Sequence, residues 1–185
     1  MTYTYKTRDQ QGAALIVALI FLVVITLLGL SSIRTAVQEE RMTSNYLDRN
    51  LAFQAAEAAL RAGEAAAVAQ YAAGNSGFPN NGIYNDVDST CIAPPACTNG
   101  LCTNPDKDCT LRWDDPAFSG WVDVNLSLTS TVGGTPQYFV EYLGNNHPCE
   151  PSKPTLNLNC TRYRITARST ADGRAAVVLQ SIFAQ

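Results

Sequence analysis

The stretch AALIVALIFLVVITLLGL, Ala13 to Leu30, decides how this chain must be organised. It contains no charged residue, and its only weak positions for an apolar helix are Thr26 and Gly29. As a helix it would be about 27 Å long, close to the roughly 30 Å hydrocarbon core of a membrane. The stretch therefore predicts a membrane-spanning helix.

The flank before this helix is polar and basic. It reads MTYTYKTRDQQG, with Lys6 and Arg8 near its middle. Because positive flanks stay in the cytoplasm, we expect the N-terminus inside and the rest of the chain across the membrane. Three interpretations are open: a secretory signal cut near Ser31, an uncleaved signal anchor, or a cut before the apolar run, after Gly12.

The sequence that follows the apolar run favours the third interpretation. No proline occurs from Ala13 to Ala73, and good helix formers dominate this range. Tyr46, Phe53 and Leu60 recur at heptad spacing and so share one stripe. A single helix of about 60 residues, about 90 Å long, is expected. It has a transmembrane half, residues 13–30, and an outer amphipathic half, residues 31–73, which would cover a globular head.

The second part of the chain predicts loops followed by a small sheet. Turn formers end the helix, and residues 74–120 form a Cys-rich loop region. Alternating apolar and polar residues predict the sheet in residues 121–185, with Asp172-Gly173 as a tight hairpin turn. The expected strands are 121–128, 137–143, 162–169 and 175–183. We therefore expect an α+β fold, a long N-terminal helix packed on a small antiparallel β-sheet of about four strands.

Composition excludes two broad classes of protein. The 185 residues carry 13 Lys+Arg against 16 Asp+Glu, a net charge of −3, and apolar residues make up 46%. A disordered chain would be less apolar and more highly charged. A nucleic-acid-binding protein would carry a clustered basic excess. We expect a folded, membrane-attached protein with no nucleic-acid partner.

Six cysteines lie in the part that is expected to be exported, which predicts disulfides. Six cysteines allow fifteen pairings. We expect Cys149–Cys160, because this bond would close the loop between the second and third predicted strands, 137–143 and 162–169. It would stabilise the fold by about 3 kcal/mol. The pairing of the other four stays open: Cys91, Cys97, Cys102 and Cys109.

Sites for catalysis or metal binding have little support in the residue pattern. The one histidine, His147, lies in a Pro/Asn loop and belongs to no recognisable nucleophile–base arrangement. The chain has no Cys-x-x-Cys pair for zinc, and its acidic loops lack the ligand pattern of a known calcium loop. We predict no enzymatic activity, no metal and no cofactor, while calcium binding by the Asp-rich loops stays open.

Several stretches carry a resemblance to a known family. They are QQGAALIVALIFLVVITLLGL, EERM, DRNLAFQAAEAALR, PQYFVEYLG and YRITARSTADGRAAVVLQSIF. The chain resembles the minor pilins of type IV pili, and most closely the PilX family of pilus-assembly proteins. The resemblance implies a pilin-like fold and a leader peptide, residues 1–12. A prepilin peptidase would remove this leader after Gly12 and methylate the new N-terminus, Ala13.

The resemblance also implies a location and a set of partners. The subunit would wait in the inner membrane as a single-pass protein, with a cytoplasmic N-terminus and a periplasmic head, and would then enter a cell-surface pilus. Its partners would be other minor pilins, the major pilin, a tip-associated adhesin-like protein and the inner-membrane assembly machinery. Adhesion and twitching motility would depend on it. Two alternatives stay open: a tip pseudopilin of a type II secretion system, and a membrane-tethered periplasmic binding module that does not polymerise.

One position departs from the family pattern. Most pilins carry a glutamate at the fifth mature position, which is Val17 when counted from Ala13. That glutamate neutralises the terminal amine of a neighbouring subunit, because an unpaired charge in apolar surroundings is costly. Subunits that lack it resemble those at the tip of related filaments, so we expect Val17 to mark a subunit that primes assembly at or near the tip. The alternative is that Val17 is simply a better lipid-facing residue.

Two groups of helix residues are candidate assembly contacts. Leu15, Leu19 and Leu22 lie in the transmembrane half. The second group lies in the outer half, where the alternative interpretation is a solvated helix face with i,i+4 ion pairs. This second group consists of Glu39, Glu40 and Arg41.

Basic residues also alternate near the C-terminus. They could form a basic strip on the exposed face of the sheet and dock another subunit, although strand alternation alone explains their spacing. These residues are Arg162, Arg164, Arg168 and Arg174.

Overall fold

A computed structural model describes residues 12–83, 91, 97–125, 135–150, 152–156 and 159–185. One helix, α1, spans Ala13–Ala72, which confirms the long helix expected from the sequence. Gly74, two residues beyond the helix end, has a left-handed φ of 66°, and the Asn75 N–H donates to the Gln70 carbonyl at 2.8 Å. Glycine in this conformation is a common helix terminator. Most of the expected leader, residues 1–11, lies outside the described residues.

The described residues contain six strands in one mixed sheet with the order β1-β2-β4-β5-β6, and β3 also pairs with β4. The three long strands form the expected antiparallel meander, and β2 runs parallel to β4. The strands are β1 Cys97–Thr98, β2 Leu101–Cys102, β3 Val122–Asp123, β4 Thr135–His147, β5 Cys160–Thr170 and β6 Val177–Ala184.

The sheet is larger than the about four antiparallel strands predicted. The additional strands, β1 and β2, have two residues each, too few to show an alternating pattern. They form a hairpin through Asn99-Gly100, where both residues have positive φ. The strand expected at 121–128 shrinks to β3, and its predicted end at 126–128 lies outside the described residues. Both β2 and β3 lie along the same edge of β4.

The chain divides into two units, Met1–Tyr46 and Leu47–Gln185. Within the second unit, small helix residues pack against one face of the sheet. The alternation predicted for β5 is confirmed, since Tyr163, Ile165 and Ala167 are fully buried on this face. The buried helix residues opposite them are all small: Ala52, Ala55, Ala56, Ala59, Gly63 and Ala67.

Of the large residues of the heptad stripe, Leu60 packs partly buried against this core, whereas Phe53 is 45% exposed. The closest approach of the helix to the sheet is made by its small residues. A Cβ at Gly63 would lie 2.4 Å from Ile165 Cγ2 and 3.0 Å from Tyr138 Cδ2. The bulk of the core is therefore supplied by the aromatic and branched residues of the sheet.

Within this unit, polar contacts link the helix and the turn that follows it to the sheet at two further points. The Tyr163 hydroxyl donates to Asn75 Oδ1 at 2.5 Å. Asp48 on α1 accepts hydrogen bonds from Arg174 Nε at 2.5 Å and from the Ala175 N–H at 2.6 Å. These bonds hold the turn between β5 and β6, where Gly173 has the positive φ expected of a tight hairpin.

Candidate assembly surfaces

The first surface is the apolar part of α1. Every residue from Gly12 to Leu30 is exposed in the single chain, and this part is apolar and long enough to cross a membrane. Exposed fractions of 68% for Leu15, 58% for Leu19 and 64% for Leu22 are typical of it. Exposed apolar area costs about 25 cal/mol per Å² in water, so this surface requires lipid or other protein around it.

The residues expected at the processing site lie at the beginning of α1. Gly12 is exposed in a turn, and Ala13 is the first residue of the helix. Val17 follows one turn later and is 50% exposed, so a side chain at this position faces the surroundings of the helix. No carboxylate is available between Ala13 and Leu30 to neutralise an amine.

The second surface is the charged triplet on the same helix. Glu39, Glu40 and Arg41 are all exposed. The i,i+4 ion pairs considered from the sequence do not form, since no ion pair between described residues involves this triplet. The three side chains are therefore available to another molecule.

The third candidate surface is the arginine-bearing face of the sheet in the head. In the structure this face is covered and not exposed. Glu141 of β4 is 2% exposed in its side chain and forms ion pairs with two arginines. Arg164 Nε lies 2.5 Å from Glu141 Oε2, and Arg112 Nη1 bonds to Glu141 Oε1. Arg112 also donates to the Thr103 carbonyl at 3.1 Å. This cluster ties the layer formed by residues 97–123 to the sheet.

Burial shapes the electrostatics of the cluster. Desolvation lowers the pKa of Arg112, and the attraction of Glu141 opposes that effect. An arginine remains charged even when its pKa is lowered. The cluster is therefore a permanently ionic contact, and removing Glu141 would take the shared carboxylate away from both arginines.

Aromatic residues complete the covered face. Phe139 packs against Trp121 and Phe118 with ring centroids 4.8 and 4.9 Å away. The guanidinium of Arg168 lies 3.9 Å from the Trp121 ring centroid, and its Nε donates to Gln137 at 2.8 Å. A cation at this distance is attracted by the ring. The interpretation of these arginines as an exposed basic strip is therefore wrong for Arg164 and Arg168, which are structural.

Three disulfides link all six cysteines. Cys149 is joined to Cys160, the pair singled out from the sequence. The four cysteines left open pair as Cys97–Cys102, which closes the β1–β2 hairpin, and Cys91–Cys109. The Cys91 and Cys109 sulfurs lie near the Asp106 carboxylate. A disulfide sulfur is not a thiolate, so this group does not offer the ligand set of a zinc site.

An open cleft of about 570 Å³ lies beside the hairpin. Its lining includes Asn99, Asp115 and Trp121. Asp115 Oδ1 accepts the Ala117 N–H at 2.8 Å, which is a turn contact. His147 lies elsewhere, with Nε2 3.1 Å from the Leu143 carbonyl. In the part of the chain that the structure describes, these groups form no paired acid and base.

Sequence reasoning missed the roles of Arg112 and Glu141. The available signal was the position of Glu141 within the apolar run YFVEYL, because a charge in the middle of a buried strand normally has a partner. The pairing with Arg112 depends on how a loop region with no periodic pattern folds. That partner could not be read from spacing.

Comparison with known proteins gives two family matches. The model described as PilX N-terminal matches residues 11–61. The model described as type IV pilus assembly protein PilX C-term matches residues 98–185. Together they include most of α1 and, among the described strands, Thr98 of β1 and the whole of β2 to β6. No curated protein and no solved structure matches the chain.

Proposed function

We propose that this chain primes pilus assembly from a position at or near the tip. The premise is that it belongs to the type IV pilus assembly protein PilX family. Membership makes the chain a minor pilin, a structural subunit of pilus assembly. Tip location, adhesion and twitching motility are the finer parts of the proposal. The apolar half of α1 fits the membrane anchor of such a subunit.

The proposed pathway begins with the subunit in the inner membrane. The basic flank before α1 keeps the N-terminus in the cytoplasm, and the head lies in the periplasm. A prepilin peptidase cuts after Gly12 and methylates Ala13. The exposed turn at Gly12 supports this step, because a protease needs an accessible peptide bond at the start of the helix.

Assembly then gives the apolar helix new neighbours. Leu15, Leu19 and Leu22 exchange lipid for the helices of other minor pilins and the major pilin. The charged triplet Glu39–Arg41 contacts a neighbouring subunit outside the membrane. The exposed state of all these side chains in the single chain supports both contacts. The inner-membrane machinery lifts the complex, and a tip-associated adhesin-like protein binds the head.

The proposed tip position depends on one observation, which is that residue 17, the fifth mature residue, is a valine. A subunit inside the shaft has neighbours above and below, so its fifth mature residue must neutralise the amine of the next subunit. A valine cannot do so, and an unpaired charge in this environment costs several kcal/mol. A terminal subunit lacks one neighbour and therefore needs no such pairing. The absence of any other carboxylate in Ala13–Leu30 strengthens this assignment.

The alternative of a type II secretion tip pseudopilin receives no support from the head. Such pseudopilins usually carry an additional helical domain. Among the described residues of 75–120, the helical structure is limited to the four-residue 3-10 helix Pro79–Gly82. We therefore retain pilus priming as the proposed function.

The substitution Val17→Glu tests the tip assignment. Wild-type protein detected by immunogold labelling is expected at filament ends in few copies, whereas V17E is expected to enter the shaft as well. Val17→Gln is the matched control, because it adds a similar polar side chain without the charge and should stay at the ends. Wild-type labelling along the whole shaft, or no difference between V17E and V17Q, would contradict the proposal.

A further inference from the structure

The sheet of the head has one edge that is covered and one that is open. At the covered edge, the short strands β2 and β3 pair with β4. At the other edge lies β6, and among the described residues β5 is its sole strand partner. The outer edge of β6 therefore has backbone groups that no described strand pairs.

The pairing register identifies which backbone groups of β6 point away from the sheet. Thr161 and Gln185 exchange both backbone hydrogen bonds, at 2.7 and 3.0 Å. Hydrogen-bonded pairs alternate along an antiparallel ladder, so the odd-numbered residues of β6 bond to β5. The N–H and C=O groups directed away from β5 belong to the even-numbered residues: Val178, Gln180, Ile182 and Ala184.

Within the described residues, the β6 sequence itself carries none of the usual protection against strand addition. The sequence VVLQSIFA contains no proline and no charged residue. Proteins normally protect an exposed edge with lysine, proline, a bulge or a very short strand. Eight uncharged residues rich in β-branched side chains instead form a template for another strand.

The side chains along the edge indicate what that strand should contain. On the face that bears Arg164, Val178 and Ile182 are 45% and 65% exposed. Trp113 lies beside Val178 and Gln180 in an open groove of about 320 Å³. On the face toward α1, the side chains of Leu179 and Phe183 are half-buried. An added strand would thus meet apolar surface on both of its faces.

Charge favours a different protein over a second copy of this chain as the partner of the β6 edge. Glu64 of α1 accepts a hydrogen bond from Ser181 Oγ at 3.2 Å, which places a carboxylate beside the edge. In a twofold pairing of two β6 strands, both Glu64 residues would lie on the same face of the joined sheet, and like charges there would be unfavourable. A strand without carboxylates avoids this repulsion.

We propose that the open edge of β6 binds an extended apolar segment of another protein, free of carboxylates, which joins the sheet through backbone hydrogen bonds to the even-numbered residues. Backbone bonds give such contacts their affinity, and side-chain pockets such as the groove at Trp113 give them selectivity. The proposal does not depend on the role in pilus assembly, since it concerns the edge whatever the partner is.

Photo-crosslinking in cells that express the full chain tests this proposal. A photoreactive phenylalanine analogue replaces Ile182, and the control carries it in place of Leu156, which is 61% exposed and lies outside the described strands. The adduct at position 182 is expected to be clearly stronger than that of the control, because position 182 alone lies on the edge that would take the added strand. Mass spectrometry of the adduct should identify an apolar segment of a different protein without Asp or Glu.

Gln180→Pro provides the decisive variant. Its N–H points away from β5, so proline removes an outward donor and leaves the β5–β6 ladder intact. Q180P should abolish the adduct, and Q180A should retain it. Val178→Lys, with V178T as its control, repeats the comparison without touching the backbone. The unfolding midpoint of each variant, followed by tryptophan fluorescence, shows that the head remains folded.

Four outcomes would overturn the proposal. They are an adduct no stronger than that of the Leu156 control, an adduct between two copies of this chain, an adduct with a segment rich in carboxylates, and an adduct that survives both Q180P and V178K in a folded head. Loss of pilus assembly is scored separately by filament counts. Failure of the proposed function and failure of the edge proposal are therefore distinguishable.

Discussion

The two faces of the sheet are buried by opposite chemistry. The face toward α1 is apolar, with Val140, Tyr163 and Ile165 fully buried against small helix residues. The other face buries Glu141 between two arginines, with Arg168 stacked on Trp121. The apolar face is held by the hydrophobic effect, whereas the other face combines the aromatic packing around Phe139 with directional ionic contacts at Glu141. The two faces should therefore respond differently to substitution.

The largest effect is expected on the polar face. Glu141→Gln keeps the shape of the side chain and removes its charge, which takes the shared carboxylate away from both Arg112 and Arg164. We expect the free energy of unfolding to fall by about 3–5 kcal/mol. Chemical denaturation of the full chain in detergent measures it, and Trp113 and Trp121 report on the head.

The matched control for that variant is Glu150→Gln. Glu150 pairs with Lys153 at 3.1 Å on the surface, where both side chains are more than half exposed. Because water already screens this pair, its loss should leave the unfolding midpoint unchanged. Equal effects of E141Q and E150Q would mean that the ionic cluster does not hold the polar face.

A smaller effect is expected on the apolar face. Gly63→Leu forces a side chain against Ile165 and Tyr138, where even a Cβ would lie 2.4 Å from Ile165 Cγ2. Overpacking of this kind lowers the free energy of unfolding by about 1–3 kcal/mol. Gly29→Leu is the control, because no atom lies within 4 Å of a Cβ at Gly29. The account fails here if G63L unfolds at the same denaturant concentration as G29L.

The smallest effect concerns alkaline pH. Burial raises the pKa of Tyr163 to about 12, and burial also raises the pKa of Tyr142. The folded chain therefore retains a proton that the unfolded chain loses from about pH 10 upward. The contribution of these tyrosines to stability should be fully present below pH 10 and should be lost as the pH rises from 10 to 12.

Tyr163→Phe supplies the control for this pH dependence. The variant lacks the titrating hydroxyl and also its hydrogen bond to Asn75, so it should be less stable at neutral pH. Its decline between pH 10 and 12 should be shallower than that of the wild type. A decline of equal steepness in both proteins would assign the alkaline sensitivity to other groups.

Periodicity predicted the apolar half of this architecture well. The long helix follows from a run without proline, and the buried alternation of Tyr163, Ile165 and Ala167 follows from period-two spacing in β5. The same spacing led to a wrong prediction of solvent exposure on the opposite side of β5. Arg164 and Arg168 alternate like solvent-facing residues, but the layer of residues 97–123 covers them.

The layer of residues 97–123 could not be predicted from the residue pattern, for physical reasons. Its strands β1 and β2 have two residues each, and disulfides and single ionic contacts position them rather than a repeated apolar face. The assembly residues are a different case. Leu15, Leu19 and Val17 were predicted from the sequence, and the structure shows that they are exposed in the single chain. Their role in assembly stays a prediction.

In the proposed role, the apolar half of α1 survives processing and becomes a packing surface. Mass spectrometry of the intact protein, purified from the organism that encodes it, gives the sharpest test of this role. We expect a mature chain that begins at N-methylated Ala13, with the segment Ala13–Leu30 retained. A chain that still carries Met1, or one that begins near Ser32, would contradict the account.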